Sequence, residues 1–168
     1  SVSRLHVQMP DGREAVRDVV RHPGAVAIVA LTDDGHICLV RQYRTALDRV
    51  TVEIPAGKLE PGEDPLAAAH RELEEETGFT ADKMAYLTSI ASSDGFTDEV
   101  IHLYMATGLT FTSSNPDDDE FINVDLVELT ELVDAVLDGR VEDAKTVVGA
   151  LACDAVARRL APDVSTED

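Results

Sequence analysis

Residues 57–79 read GKLEPGEDPLAAAHRELEEETGF, and six of them are glutamates: Glu60, Glu63, Glu72, Glu74, Glu75 and Glu76. The second half has helical grammar. Asp64 stands where an N-cap belongs, Pro65 fits the first turn, and Gly78 stands just past the end. Leu66, Ala69, Leu73 and Thr77 recur at helical spacing and predict the buried stripe. On the same helix Glu72 and Glu76 are four residues apart, with Glu75 beside them, so three carboxylates share a sector about 100° wide. Like charges at this spacing destabilise an isolated helix by a few tenths of a kcal/mol per pair, roughly. Glu75 and Glu76 also lie at the C-terminal end, where the helix dipole disfavours negative charge. Such a local conflict has two readings. Either the face is simply solvated, or the charge awaits a hard cation such as Mg²⁺, Mn²⁺ or Ca²⁺.

The surroundings bear on that choice. The loop AGKLEPGED runs straight into the helix and offers backbone carbonyls, that of Ala56 among them, as further hard ligands. Arg71 precedes Glu75 by four residues and is placed to pair with it. The chain of 168 residues has a formal net charge of −19. That balance argues against nucleic acid or an anionic membrane as partner. It also means that an anionic substrate needs a cation as bridge.

Outward from this segment, RLHVQMPDGREAVRDVVRH predicts two strands around a PDG turn. AVAIVAL and HICLVRQYR predict a hairpin around DDG. VTVEIP, MAYLTSIAS, EVIHLYMATGL and INVDLVEL predict further strands. ELTELVDAVLDG and DAKTVVGALACDAVARRL predict two closing helices. Alternation of antiparallel strands with a few helices points by itself to an α+β domain. Cys38 and Cys153 lie in apolar segments without ligand spacing, which suits buried thiols and a cytoplasmic setting. No leader is expected from SVSRLHVQMPDGRE, and no apolar run is long enough to span a membrane. The five histidines pair at no ligand spacing and are read as structural or surface residues. FTSSNPDDDEF is a polar loop whose acidic run is, taken alone, a solvated one.

The segment 57–79 resembles the Nudix hydrolase signature, matching at Gly57, Glu63, Arg71-Glu72, Leu73, Glu75-Glu76, Gly78 and Phe79. The resemblance implies an α/β fold, an α/β/α sandwich around a mixed sheet, and hydrolysis of a nucleoside diphosphate linked to another moiety. It implies Glu72, Glu76 and Glu75 as metal ligands together with the Ala56 carbonyl, Arg71 as the residue that orients a glutamate, and Mg²⁺, with Mn²⁺ as the alternative. VRQYR, EIPAGKLEPGE, GFTDE, DDDEF and EDAKT resemble the ADP-ribose pyrophosphatase branch over roughly residues 13 to 150.

That branch implies a homodimer in which residues 1–23 form an N-terminal strand region at the interface and residues 24–168 form the hydrolase domain. It implies Arg17, Arg44, Gly95, Phe96 and Glu99 as substrate contacts. It also implies a downstream acid, Glu120 with Asp118 as rival, as general base or further metal ligand. One position departs from the branch: Asp94 stands where a proline is usual. Another nucleoside diphosphate sugar or a dinucleotide is therefore an alternative substrate. A non-catalytic ADP-ribose sensor is a further alternative, against which the three retained signature glutamates count.

Overall fold

The computed structural model describes residues 1–112 and 123–160. Two strands, β1 (Val2–Gln8) and β2 (Glu14–Val20), pair antiparallel as the PDG turn predicts, and form a separate two-stranded sheet. Then come β3 (Ala25–Ala30), β4 (His36–Arg44), β5 (Arg49–Glu53), β6 (Ala56–Lys58), α1 (Pro65–Thr77), β7 (Phe79–Ala91), β8 (Val100–Phe111), β9 (Asn123–Glu128), α2 (Leu129–Leu137) and α3 (Ala144–Leu160). Among these, β6-β3-β8-β7 form one sheet and β5-β4-β9 another.

The pairing of β3 with β8 is parallel while its other neighbour, β6, runs antiparallel, so the sheet is mixed. The other pairings are antiparallel, as the sequence predicts, but the parallel β3–β8 pair and the helices on both faces of β3 replace the α+β reading with the α/β/α sandwich. The expected β3–β4 hairpin also needs correction. The turn at Asp33-Asp34-Gly35 exists, but only an isolated Leu31–Ile37 bridge joins the strands, and they diverge into different sheets. The physical reason lies in β3. All six of its residues are buried, so both faces need cover and both edges need partners, and β6 and β8 supply the edges. The stretch AGK, expected as loop, is for that reason a short strand.

The two faces of β3 define the layers. Val26, Ile28 and Ala30 pack with Ala68, Ala69 and Leu73 of α1, and with Tyr104 and Ala106 of β8. Ala25, Ala27 and Val29 pack with Leu103, Ile37 and Leu39, and with Leu132, Ala135, Ala150 and Cys153 of α2 and α3. Of the predicted stripe on α1, Ala69, Leu73 and Thr77 are buried, whereas Leu66 is exposed and Ala68 takes its share of the core. Asp64 caps α1 by accepting from the Leu66 and Ala67 amides at 3.0 and 3.2 Å, and Gly78 closes it in the left-handed region at φ 73°.

Gly149 lets α3 approach the sheet. A Cβ there would lie 2.9 Å from Val29 Cγ2 and 3.0 Å from Ile54 Cδ1. Gly149→Val is therefore expected to lower stability by about 1–3 kcal/mol through overpacking, read as a shift in the urea unfolding midpoint at constant slope.

Candidate active site

The carboxylate helix is organised by one cation. Arg71 donates through Nε and Nη2 to both oxygens of Glu63, each at 2.9 Å. Its Nη1 donates to Glu72 Oε1 at 2.7 Å and to Glu75 Oε2 at 2.9 Å. The Arg71 side chain is 27% exposed and Glu63 and Glu72 still less, so these bonds are only partly screened. The Arg71 fork, helped by the Glu60 amide, holds the Glu63 carboxyl down at about 2. The sequence suggested Arg71 for Glu75; the structure makes it a hub for three glutamates, the first of them from the preceding loop.

Glu76 is 7% exposed at the end of α1, and its Oε2 accepts the Ala56 amide at 2.9 Å. That bond ties the helix to β6. Glu72 lies directly over Gly57, where a Cβ would fall 1.8 Å from the carboxyl carbon, so only glycine leaves the carboxylate its place. Glu75 is about half exposed. The donor set, three carboxylates beside the backbone of Ala56 and Gly57, is all hard oxygen and suits a divalent cation of that class. Among the described residues no three acidic, histidine or cysteine side chains are already gathered as a cage.

These groups border a cavity of about 920 Å³. Lys58, Arg71, Glu72, Glu75 and Glu76 lie on its α1 and β6 side, and β5 with residues 140–145 supplies another wall, where Arg44 stands. Arg44 makes a two-pronged pair with Glu53, Nε to Oε1 at 2.7 Å and Nη2 to Oε2 at 2.5 Å. Burial pushes the Glu53 carboxyl up, but Arg44, Lys145 and Thr51 together outweigh it and hold it down at about 2. Glu99 lines the cavity too, with its Oε1 3.3 Å from His22 Nδ1.

The segment leaving β2 is stitched to the loop that carries Glu99. The Val20 amide donates to the Phe96 carbonyl at 2.7 Å, and the Val20 carbonyl accepts from the Asp98 amide at 3.3 Å. Asp98 receives the Arg21 guanidinium and the His22 amide, each at 2.8 Å.

Of the other expected contacts, Arg17 sits on the hairpin and donates to its neighbour Val16's carbonyl at 2.9 Å, outside the cavity walls. Gly95 and Phe96 also lie outside the walls, with Phe96 exposed. Asp118 and Glu120 lie outside the described residues. Sequence reading gave Glu53 and Lys145 no role and took His22, with the other histidines, as a structural or surface residue. A glutamate alternating inside VTVEIP was the one signal for Glu53, and nothing local announced that Lys145, 92 residues away, would reach it.

The NUDIX domain model matches residues 21–148. A methanol dehydrogenase activator of Bacillus methanolicus is 51% identical over 84% of this chain and 78% of its own length. An ADP-ribose pyrophosphatase of Bacillus subtilis is 47% identical over 83% of this chain and 77% of its own. The solved structure of an ADP compounds hydrolase superposes with a TM-score of 0.81, covering 94% of this chain and 86% of that one at 22% identity, a likeness of fold. The chain belongs to the Nudix family.

Two outcomes test the site. Gly57→Ala is expected to displace Glu72 and cut turnover by on the order of a hundredfold with circular dichroism unchanged. The Glu53 carboxyl, depressed from 4.5 to about 2, stabilises the fold fully above pH 4.5 and loses that contribution as pH falls toward 2. Urea midpoints of the unaltered protein and of Glu53→Gln should therefore draw together across that window.

Proposed function

We propose that this protein hydrolyses the diphosphate of ADP-ribose and related ADP-sugars, releasing AMP and a sugar phosphate. The observation that carries this reading is the Arg71 hub, which holds Glu63, Glu72 and Glu75 around the glycine backbone at the edge of the large cavity. The relative from Bacillus subtilis that bears the name ADP-ribose pyrophosphatase supports the substrate.

Glu72, Glu75, Glu76 and the Ala56 carbonyl would hold Mg²⁺, with Mn²⁺ as the alternative. When bound, the cation neutralises phosphoryl oxygens and lowers the pKa of a water. The chain's own residues do the rest. Arg71 restrains Glu72 and Glu75 against their mutual repulsion, and the Ala56 amide fixes Glu76. Arg44, backed by Glu53, faces the cavity as the contact for a phosphate or the adenosine end. Glu99 accepts a ribose hydroxyl, a role that its place in the cavity lining supports. Water attacks one phosphorus of the diphosphate, the bridging P–O bond breaks so that AMP and the sugar phosphate separate, and Glu120, with Asp118 as rival, takes the water's proton. Gly95, Phe96 and Arg17 complete the substrate contacts across a homodimer built through residues 1–23. Val2 and Val16, exposed on the hairpin, support that interface.

Buried free Cys38 and Cys153 support a cytoplasmic setting. No helix among the described residues is long and apolar enough to cross a membrane. Asp94, in the loop stitched to Val20, favours a second reading in which the sugar or base differs from ADP-ribose.

The test is AMP release from ADP-ribose with Mg²⁺. Glu76→Gln is expected to lower kcat by about a hundredfold or more. Release from GDP- or CMP-linked substrates alone would select the second reading. Full activity in Glu76→Gln would remove the helix from the chemistry.

A further inference from the structure

At the junction of β5 and α3 four charged residues of the cavity lining, Arg44, Glu53, Asp143 and Lys145, meet. Glu53, 2% exposed, accepts from Arg44, from Thr51 Oγ1 at 2.5 Å and from Lys145 Nζ. Lys145, whose side chain is 8% exposed, also donates to Asp143 Oδ1 at 3.0 Å. Asp143 Oδ2 accepts from the Thr146 amide at 3.0 Å and from its hydroxyl at 2.7 Å, while Thr146 Oγ1 accepts the Ile54 amide at 2.9 Å. Two cations and two carboxylates make the group formally neutral.

Lysine is among the residues least often buried, and it is buried when paired. This lysine is not the sole tie at the junction. Asp143 already caps α3, and the Thr146–Ile54 bond already joins α3 to the end of β5. What Lys145 changes is the charge around Arg44, the group's 42% exposed member. Remove its ammonium and the group carries −1, with Glu53 and Asp143 both drawing on one guanidinium. Arg49 and Arg140 line the same cavity, but each pairs with a carboxylate of its own, Glu142 and Asp138.

We propose that Lys145 is a positioning residue for ligand binding. It neutralises Asp143 and shares Glu53, so that Arg44 keeps its pose on Glu53 and presents positive charge to an anionic group in the cavity. The inference rests on the reading of that cavity as a nucleotide-sugar site, and names the device by which an acidic protein keeps one wall attractive to phosphate.

The test uses Lys145→Met, Asp143→Asn and the double variant. Asparagine retains the cap oxygen, so Asp143→Asn changes charge while α3 stays closed. Two quantities are read: kcat and KM for ADP-ribose with Mg²⁺, and the ¹H–¹⁵N resonance of the Arg44 Nε–H in the ligand-free protein. Lys145→Met is expected to raise KM about tenfold with kcat within about threefold, and to move the Arg44 resonance. The double variant, neutral again, is expected to recover KM to within about threefold and to return the resonance; Asp143→Asn alone is expected to lower KM.

An unchanged KM and an unmoved resonance in Lys145→Met would overturn the proposal. So would a folded double variant that recovers neither quantity. If Lys145→Met does not fold, a KM that Asp143→Asn leaves unchanged or raises overturns it. Absence of AMP release from the unaltered protein would count against the function itself, and the Arg44 resonance would still decide the role of Lys145.

Discussion

Arg71 sits among Glu63, Glu72 and Glu75 and donates to all three, and the arrangement of the active face follows from that. Without it α1 would carry Glu72, Glu74, Glu75 and Glu76 within its last turns, and no basic residue there to offset them. The guanidinium suits this position because its donors lie in a rigid plane and can serve several carboxylates at once. Nε and Nη2 reach back to Glu63 in the loop before the helix, so the same side chain that relieves the helix also fixes the loop. Lys58's carbonyl, accepting from Nη2 at 3.3 Å, brings β6 into the same arrangement.

The constraint extends into the core. Glu72 needs the bare backbone of Gly57, and Gly57 is held in β6 by its pairing with Val26. β3 is buried on both faces, and α1 reaches it through Ala68, Ala69 and Leu73. Small residues on that side of α1 let the helix lie close to the sheet, which places its carboxylate edge beside β6. The buried thiol of Cys38, pushed up to about 12 by burial with Glu76 adding to the effect, belongs to this packing layer and is unsuited to nucleophilic chemistry.

Across the cavity a second charge arrangement works by different means. Glu53, Lys145, Asp143 and Arg44 come from β4, β5 and the start of α3, and their charges cancel around the buried Glu53–Lys145 pair. One wall of the cavity thus gathers negative charge, and the other balances it. That division suits the proposed nucleotide-sugar ligand, which carries both anionic and polar groups.

What the sequence determined by itself was local. Cap, helix, terminator and the periodic carboxylates of residues 57–79 follow from spacing alone, because helix geometry is set within a few residues. The two-strand hairpin around PDG and the two closing helices were legible for the same reason. The tertiary structure alone decided what β3 pairs with, because partners at a buried strand's edges are chosen by packing across the domain. It decided that Arg71 binds Glu63 as well as its helical neighbours, and that Glu53 meets a lysine from the far end of the chain. Those contacts depend on long-range placement of β5 and α3, which no periodicity in VTVEIP or DAKT encodes.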